Sequence, residues 1–233
     1  MPADLNGRRS QDGNALASRG GSGGQARTRL ARAAVVQAAR ALFLQRGYAA
    51  TTIEAISDTS DVPPATVYRL FSSKLGILKA LLDVSIAGDD QAAPLPDRAN
   101  ARALFADADP VRQLSGFAGI CREINSRSAP VYQIFVSAAG VDPQAAALLA
   151  EYTRQRQEGQ GQIARSLARS GALRPELKQR DAADIIHVLM SPEVYRLLAG
   201  DRGWSPQRYE QWLKGVLIDQ LLPAPTTGRR EPS

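Results

Sequence analysis

Between Thr51 and Lys74, helix-starting and helix-stopping residues alternate at intervals of about two helical turns, and this spacing restricts the fold more than any other feature of the chain. Thr51 followed by Glu54 reads as a capping box, and Ile53 and Ile56 form a short apolar stripe, so a helix of about two turns is predicted from Thr52. Asp58-Thr59-Ser60-Asp61 then favours side-chain-to-backbone turn bonds, and Pro63-Pro64 follows; proline suits a first helical turn but not an interior. A third helix is predicted from Pro63 to about Leu70. After Phe71-Ser72-Ser73 a fourth runs from Lys74 through Ile77, Leu78, Leu81, Leu82 and Val84. Ahead of them Val35, Ala38, Ala39, Leu42 and Phe43 mark one face of a helix from about Arg29 to Arg46, closed by a left-handed Gly47. Two short helices across a tight turn, clamped by a helix on either side, make a helix-turn-helix.

Downstream, Gly88 to Ala93 with Pro94 and Pro96 forms a break, and every later segment reads as helix. Asp109-Pro110 opens one with Val111, Leu114, Phe117, Ile120, Cys121 and Ile124 on its buried side. Ser128 and Pro130 open a short one ending near Gly140. Asp142-Pro143 opens a long one reaching Ser170, Lys178 to Ala199 forms another kinked at Pro192, and Ser205-Pro206 caps the last. No strand-length alternation of apolar residues appears, so the expected fold is all-α, an N-terminal helix-turn-helix followed by a C-terminal helical body. The expected divisions are 1–26 as a disordered basic arm, 27–74, 75–222, and 223–233 as a disordered tail.

Charge divides the chain in the same way. Residues 1–29 and 30–80 each carry a net +3, out of +6 for all 233 residues, whereas 81–222 carry −1. A basic front on a nearly neutral body suits either a polyanion-binding module attached to something else or a solvated basic face with no partner. The longest apolar runs fall short of the ~18 residues a membrane helix needs. With no leader-like apolar block and only one cysteine, Cys121, the expectation is a soluble cytoplasmic protein without a disulfide.

The residues Val35-Val36-Gln37-Ala38-Ala39, Leu42-Phe43, Arg46-Gly47-Tyr48, Thr51-Thr52-Ile53, Ile56, Val62, Thr66-Val67-Tyr68-Arg69-Leu70-Phe71, Ser73-Lys74 and Leu78 together resemble the TetR family of bacterial transcriptional regulators. The resemblance implies a homodimer with an N-terminal helix-turn-helix DNA-binding domain plus a C-terminal helical ligand-binding and dimerisation domain, which inserts its third helix in the major groove of double-stranded DNA and answers to a small-molecule effector. It also implies DNA contacts at Thr52, Pro64, Ala65, Thr66, Tyr68, Arg69 and Lys74. Chemistry agrees: small or rigid Pro64 and Ala65 permit close approach, Thr66 reaches a base or phosphate, Tyr68 a phosphate, and Arg69 a guanine edge. Thr52 and Lys74 stand at helix starts, where N–H groups favour phosphate. Each has an ordinary alternative: Tyr68 packing on the first helix, Thr52 only starting a helix, Arg69 solvated. Val62, Val67, Leu70 and Phe71 are assigned to the core. The family usually has glycine at the position of Asp61 and Ser-Lys at Pro63-Pro64. Asp61 is therefore expected to cap the third helix, and one phosphate contact to be lost. Arg19, Arg27 and Arg29 either enter a neighbouring minor groove or stand uninvolved.

In the body, Phe117, Cys121, Phe135, Tyr152, His187 and Met190 are candidate ligand-lining residues, although such side chains are more often plain core. One His and one Cys leave little for an enzyme and no metal or cofactor ligand set. The helices Asp181–Leu198 and Pro206–Leu222 are apolar enough to pair with a second copy as a four-helix bundle, setting the recognition helices about 34–36 Å apart. The functional expectation is a DNA-binding repressor that leaves a palindromic operator when a small apolar ligand binds. The alternatives are a regulator without a small-molecule ligand, and a helical enzyme or carrier.

Overall fold

The computed structural model describes residues 19–88 and 98–224, and all regular elements among them are helical. They are α1 (Arg19–Arg46), α2 (Ile53–Ser60), α3 (Pro64–Phe71), α4 (Lys74–Ala87), α5 (Ala99–Ala106), α6 (Pro110–Ala139), α7 (Pro143–Arg169), α8 (Gln179–Leu189), α9 (Pro192–Tyr195) and α10 (Pro206–Leu221), with π-helical turns over Arg196–Asp201.

The front follows the stop and start signals closely. Gly47 takes φ +78° and its N–H returns to Phe43 O at 2.9 Å, ending α1. The cap of α2 lies one residue later than expected: Thr52 Oγ1 accepts from Ala55 N at 3.1 Å. Thr51 is buried instead, its hydroxyl donating to Gly47 O at 2.8 Å. Ser73 caps α4 in the same manner through Gly76 N.

Four expectations change. Helix α1 begins at Arg19 rather than near Arg29, so residues 19–26 of the arm predicted to be disordered are helical; residues 1–18 and 225–233 lie outside the described residues. Once a helix is nucleated each added residue brings a hydrogen bond, which carries even glycines at its end. Helix α6 passes unbroken through Pro130, where two helices were expected. Proline costs about 3 kcal/mol in a helix interior, and continuous burial from Leu114 to Ala138, at about 1.5–3 kcal/mol per large apolar side chain, outweighs it. Pro192, by contrast, opens α9 rather than kinking a longer helix, because Ser191 Oγ caps Val194 N at 3.2 Å. Helix α5 was not anticipated: it is alanine-rich, and Arg98 before it makes no side-chain cap bond.

Two apolar cores share α6. The first joins α1–α4 to Val131, Tyr132, Ile134, Phe135 and Ala138 from the second half of α6 and to Ala145 of α7. The second packs the first half of α6 against the end of α7, α8, α9 and α10, around Leu114, Leu167, Ile186, Tyr209, Leu213 and Leu217. Polar contacts fasten the front to the body. Arg127 of α6 donates to Ser85 O and Ile86 O at 3.2 and 3.3 Å, and Arg98 to Ala87 O at 3.0 Å, so both satisfy carbonyls at the end of α4. The Tyr48 hydroxyl donates to Asp142 at 3.4 Å and that of Tyr152 to Asp83. Among the described residues no helix is long and apolar enough to cross a membrane.

Candidate nucleic-acid interface and internal cavity

Helix α3 buries Val67 and Phe71 against α1 and α4, which turns its other side outward. Pro64, Ala65, Tyr68 and Arg69 are exposed there, Tyr68 at 48%, and Thr66 is half-buried beside them. Among the described residues Arg69 makes no ion pair, so its guanidinium is available to a base edge. Thr52 stands exposed at the start of α2; its oxygen is used as a cap acceptor, and its O–H remains to donate to a phosphate. Pro63 and Pro64 remove two N–H groups from the head of α3, and no side chain caps it. That head therefore offers little to an anion and an apolar, close-fitting surface to a groove.

Two expected roles are different in the structure. Lys74 turns inward: its ammonium donates to Tyr48 O and Thr51 O, both at 2.8 Å, and lies 4.3 Å from the centre of the Tyr48 ring. Burial lowers its pKa, partly offset by Asp142, and its main work is to close the α1–α2 loop. Asp61 does not cap α3. It takes φ +52°, ψ +35° as the left-handed residue ending α2, its N–H bonded to Ser57 O. Glycine fits that conformation without strain, and Asp is among the few others that tolerate it. Arg32 is likewise spent internally, on Leu70 O at 3.2 Å and the Phe71 ring at 4.6 Å, and Lys79 pairs with Asp83 at 2.8 Å. Arg32 and Lys74 thus fasten the module together, leaving Arg69 as the cation on the outer side of α3.

Between α4, α5, α6, α7 and the start of α9 lies a cavity of about 720 Å³. Four of the six candidates, Phe117, Cys121, Tyr152 and Met190, line it. Phe135 does not; it is fully buried in the first core and meets Tyr152 edge-on at 5.7 Å. His187 does not either, since it stands behind Arg156, accepting from Arg156 Nη2 at 3.2 Å and donating from Nδ1 to Gln160 at 2.9 Å. Burial, and then the nearby Arg156, lower its pKa, which agrees with a neutral ring. Burial pushes the Cys121 thiol up to about 12, so it stays protonated, against Tyr209, Asn125 and the Met190 carbonyl. Sequence reasoning missed Asp83, Arg98, Arg156 and Asn125, which bring charge and amide groups to a mostly apolar wall. Spacing alone carries a faint signal for Arg156: Thr153, Arg156 and Gln160 recur on one face of α7.

A helix-turn-helix with an open recognition face, carried on a helical body that holds a ligand-sized cavity, is the arrangement of a DNA-binding regulator. Residues 35–81 match the family described as bacterial regulatory proteins, tetR family. The chain is 26% identical over 167 residues to the uncharacterized HTH-type transcriptional regulator YdeS of Bacillus subtilis (strain 168), covering 71% of this chain and 77% of YdeS. Its fold is that of NalD, the secondary repressor of the MexAB-OprM multidrug efflux pump in Pseudomonas aeruginosa (TM-score 0.66, 20% identity, 84% of this chain and 98% of that one). SmeT in its triclosan complex is similar too (TM-score 0.65, 16% identity, 87% and 99%). Residues 35–81 thus carry the DNA-binding domain of the tetR family of bacterial regulatory proteins, and the chain is similar over most of its length to an HTH-type transcriptional regulator.

Proposed function

We propose that two copies of the chain form a cytoplasmic repressor that holds a palindromic operator through α3 of each copy and releases it when a small, largely apolar ligand fills the cavity. In this reading 27–74 contacts DNA, through Thr52, Pro64, Ala65, Thr66, Tyr68 and Arg69, and 75–222 receives the ligand and dimerises. One observation carries the reading: Leu82, Asp83, Ile86 and Ala87 of α4 form a wall of the cavity, and the first turn of the same helix abuts α3. A Cβ on Gly76 would lie 2.0 Å from Phe71 O, so α3 and α4 touch backbone to backbone. A ligand that fits best when α4 is displaced therefore favours misplaced recognition helices, and a differential affinity of a few kcal/mol is enough to empty an operator. SmeT with triclosan and NalD as a repressor support the reading by similarity of fold.

Dimerisation is assigned to α8 and α10, with Val188 at 59% exposure and Leu197 at 48% beside half-buried Ile185, Trp212 and Val216. The test is retardation of fragments of the chain's own promoter region by the purified protein. Binding that weakens steeply with salt and is reversed by small apolar compounds supports the proposal. Failure to retard any such fragment at low salt overturns it.

A further inference from the structure

We infer that the ligand taken by this cavity is an organic anion, an apolar body ending in a carboxylate or similar acid, seated with its acid against Arg156. The inference rests on the effector reading above and names the chemistry of that site. Leu82, Ile86, Phe117, Ile120, Ile163 and Met190 supply an apolar body to the cavity, and three charged residues line it: Asp83, Arg98 and Arg156. They differ in how fully they are answered.

Asp83 is satisfied on both oxygens, one taking the Tyr152 hydroxyl and the other Lys79 at 2.8 Å. Arg98 donates to Ala87 O, at the end of α4. Arg156 is under-supplied. Its Nη2 bonds to His187, a neutral ring whose own proton is held by Gln160, so that contact brings no negative charge. Its Nη1 stands 3.7 Å from Glu193 Oε2, beyond hydrogen-bond reach, and neither atom has another hydrogen-bond partner among the described residues although both are buried. The other oxygen of Glu193 is taken by the Tyr132 hydroxyl at 3.0 Å.

A guanidinium nitrogen buried without a hydrogen bond, its ion pair held open, is costly, and an acceptor within reach that brings negative charge is what it lacks. An acid group entering along Thr153 and Gln160 supplies that acceptor with a small turn of the side chain. A cationic head would instead meet Arg98 and Arg156 with its charge unanswered, since Asp83 is already engaged. A neutral ligand gains from the apolar walls and from single hydrogen bonds, but brings Arg156 no negative charge.

The experiment uses the full chain and three probes with the same ten-carbon tail, decanoate, decanol and decyltrimethylammonium, titrated calorimetrically into wild type, Arg156→Gln and Glu193→Gln. Decanoate is expected to bind about tenfold or more tighter than decanol, a preference of about 1.4 kcal/mol. Arg156→Gln is expected to abolish the preference while decanol binding persists. Glu193→Gln, which removes the competing carboxylate, is expected to tighten decanoate, and it keeps the inference testable if the arginine variant does not fold. Decanol or the ammonium binding as tightly as decanoate overturns the anion inference and leaves the effector reading standing. A preference that survives Arg156→Gln, or no tightening in Glu193→Gln, overturns the assignment to Arg156. No binding of any probe counts against the cavity as an effector site, and so against the reading beneath it.

Discussion

Arg69 and Lys74 carry the same charge near the same helix ends and are put to different uses by their surroundings. Arg69 is exposed on the outer side of α3, so Arg69→Ala is expected to relax preference at one base pair and cost about 1–3 kcal/mol in operator binding. Lys74 looks in sequence like a phosphate contact, whose loss would weaken all DNA alike and lower the salt slope by about one. With its ammonium on two loop carbonyls, Lys74→Ala is instead expected to destabilise the fold by about 1.5–3 kcal/mol and leave the salt slope unchanged. Thermal melts and binding isotherms across a salt series separate the two outcomes; an unchanged melt with a flatter slope would return Lys74 to the phosphate. His187 makes a pH-dependent prediction. Its pKa in the folded chain lies below its ordinary value because burial and Arg156 oppose a second charge, with Glu193 and Asp184 acting the other way. The unfolded chain therefore takes up the proton first as pH falls. The stabilising term is full above about pH 6.5 and is lost below it, toward the depressed folded value. The difference in melting temperature between wild type and His187→Gln is expected to shift in favour of the variant from pH 7.5 to 5.5, and a constant difference would show that the ring does not titrate this way.

At the level of elements, the close approach of α3 and α4 predicts that Gly76→Ala is costly in spite of alanine's better helix propensity. The added methyl meets the Phe71 carbonyl, and the overpacking is expected to cost about 1–3 kcal/mol and loosen α3, read as a lower melting temperature with weaker operator binding. A variant as stable as wild type would show that the two helices separate freely. The front was legible because its evidence is local: Gly47, Ser73 and the proline pair act within a turn of where they stand, and the 3.6-residue period separates Val67 and Phe71 from Tyr68 and Arg69. Where a tertiary contact decides, the sequence misleads. Pro130 is carried inside α6 by burial on both sides of it, whereas Pro192, with a serine before it, opens a helix. Asp61 offers a cap by its chemistry, yet the turn holds it left-handed. The cavity was half legible for the same reason. Phe117, Cys121 and Met190 fall on it from apolar stripes, while Phe135 and Tyr152, edge to face in the same core, differ in that Phe135 is fully buried and Tyr152 reaches the cavity. Arg156 needed a partner list that no periodicity contains.

Across the whole molecule, α6 belongs to both cores, so the end that holds the cavity and the end that presents α3 are parts of one packed object rather than two hinged ones. Arg127 and Arg98 hold the last carbonyls of α4, and Asp142 and Asp83 take the hydroxyls of Tyr48 and Tyr152, which leaves few ways for α4 to move without carrying α3 with it. Such coupling controls transcription only if two recognition helices are read together, because the spacing between copies is what a small rotation spoils. Val188 lies well exposed on α8, away from either core, and Val188→Glu puts a charge where a second copy would bury an apolar face. The variant is expected to sediment as a monomer with an unchanged helical content and melt. Its operator affinity is expected to fall by about 10²–10⁴, the advantage that tethering two half-site contacts provides, while its weak binding to a single half-site persists. A dimer that survives the glutamate places the interface elsewhere on the molecule, and a monomer that still binds the full operator tightly removes the spacing mechanism altogether.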